Sequence, residues 1–215
     1  MNTEQKYEKL KNILKDMGDV VVAYSGGVDS TFLLRVAKDV LGEKVLGILA
    51  TSPTYPSREY DEAMKLASQI GVRVKVIETK ETDDIKFREN PVDRCYYCKT
   101  ELFTKIKDIA KEEGFTNIAD GSNADDVGDY RPGMKALEEK KVRSPLKEAG
   151  LTKNEIRRLS KMLNLPKNQA AARLTELVED KVAVRIEKGV YKINPSKIGR
   201  FLDYLESKYK VREHE

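Results

Sequence analysis

Val21-Val22-Ala23-Tyr24-Ser25-Gly26-Gly27-Val28-Asp29-Ser30-Thr31-Phe32-Leu33-Leu34 is an apolar run that breaks at two glycines and resumes with helical spacing. It reads as strand, tight turn and helix. Ser25, Gly26 and Gly27 leave several backbone N–H groups pointing into one concavity at a helix N-terminus, where the helix dipole favours an anion. A phosphate fits such a turn, with Ser30 in the first helical turn beside it. The loop is shorter than the Walker loop, and Asp29 stands where that loop carries its lysine. Backbone dipoles and a metal ion near Asp29 then have to balance the phosphate charge. The plainer reading is a polar turn in which Ser30 or Asp29 caps the helix.

Outward from this turn, the 215 residues are enough for one α/β domain with a sizeable core and a smaller appended piece. A composition 40% hydrophobic and 35% charged describes a globular chain with a heavily ionised surface. Forty Lys and Arg against 36 Asp and Glu leave a net charge of only +4, too balanced to indicate a nucleic-acid binder by charge alone. No apolar stretch reaches the length of a membrane span, and the residues after Met1 carry no signal-peptide core, so a cytoplasmic protein is expected.

Tyr7, Leu10, Ile13, Leu14 and Met17 recur three or four apart and predict an amphipathic leading helix over 4–17. Phe32, Leu33, Val36, Ala37 and Val40 continue the helix after the opening turn, and Gly42 ends it. Strands are predicted over 44–50, 72–77, 116–119 and 142–146. With the opening strand they make a doubly wound, five-stranded parallel sheet, an α/β fold whose ligand sits at the carboxyl ends of the strands. Thr51 and the Ser52-to-Ser57 loop at one such end are the natural wall for an adenine ring, or else only a proline-stiffened connector ahead of a helix from Arg58 to about Ile70. Asp120-Gly121-Ser122-Asn123-Ala124-Asp125-Asp126 lies at another. Its oxygens suit a hard cation such as Mg²⁺, with Asp29 and Asp126 as the metal-binding pair; the bland alternative is an Asx-rich turn bonded to its own backbone. Gly121 is placed to approach the nucleotide closely, and Arg131 to add a phosphate or carboxylate contact. Thr152-Lys153-Asn154-Glu155 is a capping box opening a further helix, 181–193 alternates as a hairpin around Lys188-Gly189, and further helices are predicted over 170–178 and 198–209. The expected division is a nucleotide-binding domain over 1–147 and a small α+β substrate or oligomerisation region over 148–215.

Cys95 and Cys98, the only cysteines, form a single Cys-Tyr-Tyr-Cys flanked by Arg94 and Lys99. At a helix start such a pair gains thiolate character from the dipole and nearby cations, so it could attack or hold a soft metal. Complete zinc or cluster coordination needs more ligands, and His214 is the sole histidine. Two merely buried thiols are the structural alternative.

The Ser-Gly-Gly-Val-Asp-Ser string between strand and helix resembles the pyrophosphate loop of the ATP pyrophosphatase (PP-loop) family. Together with Asn90-Pro91 through Arg94-Cys95-Tyr96-Tyr97-Cys98-Lys99, the run from Asp120 to Gly133, and Ser144-Pro145-Leu146 through Thr152-Lys153, it resembles the LarE-type ATP-dependent sulfur transferases. That resemblance implies adenylation of a substrate carboxylate with release of pyrophosphate, then replacement of AMP by sulfur to give a thiocarboxylate, as in nickel-pincer cofactor synthesis. It implies ATP and Mg²⁺, and Cys95 and Cys98 as sulfur carriers, by a persulfide or an iron–sulfur cluster. It also implies a homo-oligomer and a small-molecule carboxylate acceptor in preference to tRNA. Family members carry a third cysteine after an alanine-rich stretch; here Ala170-Ala171-Ala172 is followed by Arg173. The other readings are a tRNA-thiolating or amide-forming PP-loop enzyme, and a non-catalytic nucleotide- or metal-binding module.

Overall fold

The computed structural model describes residues 1–51, 57–79, 94–126 and 132–165, together with the backbones of two strands at 183–187 and 190–193. Two compact units divide at Pro166 and Lys167. The first runs past residue 147: Leu151, Ile156 and Leu159 are buried in the same core as Leu10, Leu14 and Phe32.

Four strands, β1 (Val20–Tyr24), β2 (Val45–Thr51), β3 (Arg73–Glu78) and β4 (Ile118–Ala119), form a sheet in the order β3-β2-β1-β4. Every pairing is parallel: Val20 faces Val45, Leu46 faces Arg73 and Val21 faces Ile118. The helices are α1 (Thr3–Met17), α2 (Val28–Leu41), α3 (Ser57–Ile70), α4 (Arg94–Glu112), α5 (Pro132–Glu139), α6 (Pro145–Glu148) and α7 (Lys153–Met162). Alternation along the strands sends side chains to two cores. Val20, Val22, Tyr24, Val45 and Leu49 pack with α1, α2 and α3, whereas Val21, Leu46 and Ile48 pack with Phe103, Ile106 and Ala110 of α4 and Leu137 of α5. Gly47 falls on the first face because a Cβ there would lie 2.9 Å from Val74.

The predicted fifth strand over 142–146 is reduced, among the described residues, to one parallel bridge between Arg143 and Ala119. Arg143 N–H donates to Ile118 at 2.9 Å and its carbonyl accepts from Asp120 N–H at 2.9 Å. The ladder stops there because Pro145 has no N–H to donate and its fixed φ suits the first position of a helix, so the chain turns into α6. The expected helix from Arg58 begins one residue earlier, and α5 was not anticipated from the sequence.

Two polar clamps tie the elements together, the first at the rim away from the strand carboxyl ends. Asp19 accepts from Thr116 N–H at 2.8 Å, Thr116 Oγ1 at 2.7 Å and Asn117 N–H at 3.0 Å. Burial works against its charge, yet these bonds hold its carboxyl below the ordinary value. The capping box at Thr152 is present as predicted, and its Glu155 also ties α7 to α1, accepting from Lys6 Nζ at 2.8 Å and Thr3 Oγ1 at 3.1 Å. Partial burial pushes the Glu155 carboxyl up, but the bonds from Lys6, Thr152 and Thr3 outweigh it and hold it at about 2. A carboxyl depressed in the folded state contributes stability that is complete above its unfolded value and is lost as pH falls toward the folded one. Glu155→Gln is therefore expected to melt about 2–4 °C below wild type at pH 7. The gap should narrow as pH falls from about 4.5 toward about 2 in thermal melts; a gap of constant size would show that the charge is not its source.

In the second unit, β5 (Ala183–Glu187) and β6 (Val190–Ile193) pair antiparallel, as the hairpin reading expected. The helices predicted over 170–178 and 198–209 lie outside the described residues. Among the described residues no helix is long and apolar enough to cross a membrane.

Candidate active site at the strand carboxyl ends

The strand order places β2 and β3 on one side of β1 and β4 on the other. Loops leaving β1 and β4 therefore part company, opening the crevice in which ligands of doubly wound sheets bind. The Ser25–Gly27 turn leaves β1 and the Asp120–Asp126 segment leaves β4, so the sheet brings together the two stretches picked out from sequence.

The turn is set by its glycines and by two hydroxyls. Gly26 has φ +71°, and a Cβ there would lie 2.8 Å from Ala63 Cβ, so the turn lies directly on α3. Tyr24, buried at the end of β1, donates its hydroxyl to Ala63 O at 2.9 Å and fixes the same helix. Ser25 N–H donates to Ser30 Oγ at 3.2 Å, the Ser25 and Ser30 hydroxyls are 3.1 Å apart, and Ser30 Oγ donates to Gly27 O at 3.2 Å. The N-cap of α2 is Gly27, with no side-chain cap bond. Neither Ser30 nor Asp29 caps the helix, so the capping part of the plainer reading does not hold, while the polar-turn part does: Gly27 N–H also donates to Ser25 Oγ at 3.3 Å.

Asp29 sits in the first turn of α2 and accepts from Asn123 Nδ2 at 3.1 Å through Oδ2. Its Oδ1 is buried without a hydrogen-bond partner. Burial pushes the Asp29 carboxyl above its ordinary value and nearby Asp126 adds to this, more than Lys153, the Asn123 bond and Arg157 pull it down. Asp126 Oδ2 accepts from Asn123 N–H at 3.0 Å, so one residue holds an oxygen of each carboxylate. A buried, unpartnered carboxylate oxygen is costly unless a cation meets it, and this donor set fits a hard ion such as Mg²⁺. Among the described residues no group of three or more His, Cys, Asp or Glu could hold a metal.

The β4 loop is pinned from below. Asp120, 7% exposed, accepts from Ser144 Oγ at 2.6 Å and Ser122 N–H at 3.3 Å. Gly121 then lies so close to α2 that a Cβ would sit 3.1 Å from Ser30 N. The close approach that Gly121 makes is to the first turn of α2, whereas the one expected from sequence was to a nucleotide. The Asx-turn reading of this segment also holds for particular atoms: Asp125 N–H donates to Asn123 Oδ1 at 2.9 Å.

Sequence reasoning missed Asn123 as the link between the carboxylates, and missed Lys153 and Arg157, whose charges act on Asp29 from the start of α7. Lys153 is tied in by its backbone N–H, which donates to Asp125 Oδ2 at 2.9 Å. The capping box marked that helix start, but nothing local placed it beside Asp29. Thr51 stands at the end of β2, where its hydroxyl donates to Ile77 O at 3.3 Å and ties β2 to β3. The adenine-wall residues 52–56, Arg131 and Arg173 lie outside the described residues.

Cys95 and Cys98 lie in the first turns of α4, as predicted; their side chains lie outside what is described. Between them, Tyr96 donates its hydroxyl to Glu139 Oε2 at 2.6 Å, and Lys135 Nζ stands 5.7 Å from the Tyr96 ring centroid. These contacts fasten the start of α4 to α5, six residues after Asp126 in sequence.

The family model described as NAD synthase matches residues 3–104. An uncharacterized protein of Synechocystis is 40% identical over 163 residues, 76% of this chain and 61% of the relative. The pyridinium-3,5-bisthiocarboxylic acid mononucleotide synthase of Lactiplantibacillus plantarum is 39% identical over 153 residues, 71% of this chain and 55% of the relative. The chain thus spans little more than half the length of that synthase. Among solved structures, the NH3-dependent NAD synthetase of Campylobacter jejuni superposes with a TM-score of 0.62 at 19% identity, over 100% of this chain and 98% of that one. The U34-tRNA thiolase of Methanococcus maripaludis, with its [4Fe-4S] cluster, superposes with a TM-score of 0.60 at 19% identity, over 96% of this chain and 73% of that one. Loop, parallel sheet and sequence similarity agree: the chain is similar to the PP-loop ATP pyrophosphatases, and among them to the LarE-type sulfur transferases.

Proposed function

We propose that this protein is an ATP-dependent sulfur transferase that adenylates a carboxylate of a small-molecule acceptor and then exchanges AMP for sulfur. The observation that carries the activation half is the uncapped first turn of α2 at the switch point, with Asp29 Oδ1 buried and unpartnered beside it. The sulfur half is supported by the similarity to a bisthiocarboxylic acid synthase and by the Cys95/Cys98 pair. A net charge of +4 supports a small acceptor over a polyanion.

In this reading Ser25, Gly26, Gly27 and Ser30 hold the β- and γ-phosphates with backbone N–H groups and hydroxyls, and Lys153 and Arg157 face the same charge. Gly121 keeps the β4 loop close enough to wall the nucleotide, while Thr51 and Arg131 complete its binding. Asp29 through Oδ1, and Asp126, would hold Mg²⁺, which when bound offsets the charge building on the leaving pyrophosphate. A carboxylate oxygen attacks the α-phosphorus, and the bond from that phosphorus to the β-bridging oxygen breaks. The acyl adenylate then loses AMP, which carries the former carboxylate oxygen, as a sulfur nucleophile forms the C–S bond. The thiol proton of that nucleophile leaves to solvent. Activation is necessary because oxide is a far worse leaving group than AMP.

Cys95 and Cys98 deliver that sulfur. From a persulfide on one of them, C–S bond formation gives an acyl disulfide; the thiolate of the other cysteine then attacks the cysteine sulfur, breaking the S–S bond, releasing the thiocarboxylate and leaving a Cys95–Cys98 disulfide that an external thiol reduces. An iron–sulfur cluster that they help to bind would instead supply the sulfur as sulfide. With Arg173 in the position of the third cysteine, a full cluster would draw a ligand from another subunit or from a non-protein group. The region after Pro166 supplies acceptor and oligomer contacts in a cytoplasmic homo-oligomer. The test is the fate of the acceptor oxygen: ATP, Mg²⁺ and a carboxylate acceptor labelled with ¹⁸O should yield pyrophosphate and labelled AMP.

A further inference from the structure

We propose that Asn123 selects the cation used at this site by restricting Asp29 to one coordinating oxygen. The proposal rests on the placement of a divalent cation at Asp29 given above. Asn123 is 3% exposed, and each of its polar groups has a definite task. Its Oδ1 accepts from Asp125 N–H at 2.9 Å, its Nδ2 donates to Asp29 Oδ2 at 3.1 Å, and its backbone N–H donates to Asp126 Oδ2 at 3.0 Å. The amide orientation follows from these partners: a backbone N–H requires the oxygen, which leaves the nitrogen for the carboxylate.

Asp29 therefore enters any coordination shell with Oδ2 already engaged and Oδ1 buried without a partner. Such a carboxylate serves as a one-oxygen ligand. Mg²⁺ and Mn²⁺ accept single carboxylate oxygens in a compact octahedral shell, whereas Ca²⁺ gathers about six to eight oxygens and readily takes both from one carboxylate. Turning Asp29 to offer both oxygens would break the Asn123 bond and strand a buried amide. The same residue also fixes where Asp126 stands relative to Asp29, so the spacing of the two carboxylates is set by one rigid loop residue. Asn123 thus acts as a positioning residue whose effect is read in metal preference.

The experiment uses the full chain with α,β-methylene-ATP, titrated with Mn²⁺ and read by the electron paramagnetic resonance of free Mn²⁺, with Mg²⁺ or Ca²⁺ as competitor. In wild type Mg²⁺ should displace Mn²⁺ much more effectively than Ca²⁺ does; equal displacement by the two overturns the proposal. Asn123→Ala keeps the backbone N–H to Asp126 and removes only the amide. It is expected to weaken Mn²⁺ binding about 10-fold and to shift the competition about 10-fold toward Ca²⁺. Asn123→Ser, whose short side chain cannot reach Asp29 but can still accept from Asp125 N–H, should shift it the same way while better preserving the loop. Both variants are compared with wild type by circular dichroism melts. If Asp29→Ala abolishes Mn²⁺ binding while both Asn123 variants keep the wild-type preference, the selecting role is overturned and the cation placement stands. If Asp29→Ala leaves Mn²⁺ binding intact, the placement itself fails and this inference with it.

Discussion

Asp29→Ala is expected to lower acceptor-dependent pyrophosphate release about a thousandfold, a loss of about 4 kcal/mol of transition-state stabilisation. Two features of the site lead to this size. The carboxylate lies in the first turn of α2, whose N-cap makes no side-chain bond, and one of its oxygens has no protein partner. A group held in that way is doing little for the folded chain, because the unpaired oxygen is itself a cost of about 1–3 kcal/mol. The alanine variant also leaves the buried Asn123 amide without its acceptor, so the two effects offset and it should melt close to wild type while losing turnover. Asp29→Asn, which keeps an acceptor for Asn123 but not the charge, should be nearly as inactive. Turnover within a few-fold of wild type in a folded Asp29→Ala would remove Asp29 from the phosphate site.

The second large effect is expected on the other half of the reaction. Replacing Cys95 and Cys98 together by alanine should abolish thiocarboxylate formation, a loss of about 100-fold or more, and leave ATP-dependent pyrophosphate release within a few-fold of wild type. The two halves separate because the cysteines lie on α4 and the phosphate turn lies between β1 and α2. Anaerobic purification of both proteins, with iron, sulfide and zinc analysis, identifies the carrier: bound iron and sulfide in wild type that vanish in the variant would identify a cluster. Sulfur transfer retained in the double variant would show that the sulfur reaches the adenylate from elsewhere.

The parts of this molecule written in short stretches of sequence were readable as such. The turn at Ser25–Gly27 announces itself because two glycines and flanking apolar runs admit few other local structures, and the Thr152–Glu155 capping box is a four-residue device. The α/β class and the helix-flanked parallel sheet follow from the same local periodicities. What escaped were features decided by distant partners. Asn123 and Asp29 are 94 residues apart, and Tyr96 meets Glu139 across 43, so no window of sequence joins them. Asn123 sat within a stretch whose Asx-turn chemistry is real, and that chemistry masked its second task of holding Asp29. The fifth strand was over-read for the opposite reason. Val142 and Arg143 have strand character and Arg143 does bridge to Ala119, but Pro145 ends the ladder after a single residue.

The carboxylate adenylation at the centre of this account is tested most directly by following oxygen. The acceptor is a small pyridinium carboxylic acid labelled with ¹⁸O in its carboxylate. Incubated with the protein, ATP, Mg²⁺ and a sulfide source, it should give pyrophosphate without label and AMP carrying one ¹⁸O for each thiocarboxylate formed. Thiocarboxylate formed alongside unlabelled AMP, or cleavage of ATP to ADP and labelled phosphate, would contradict it.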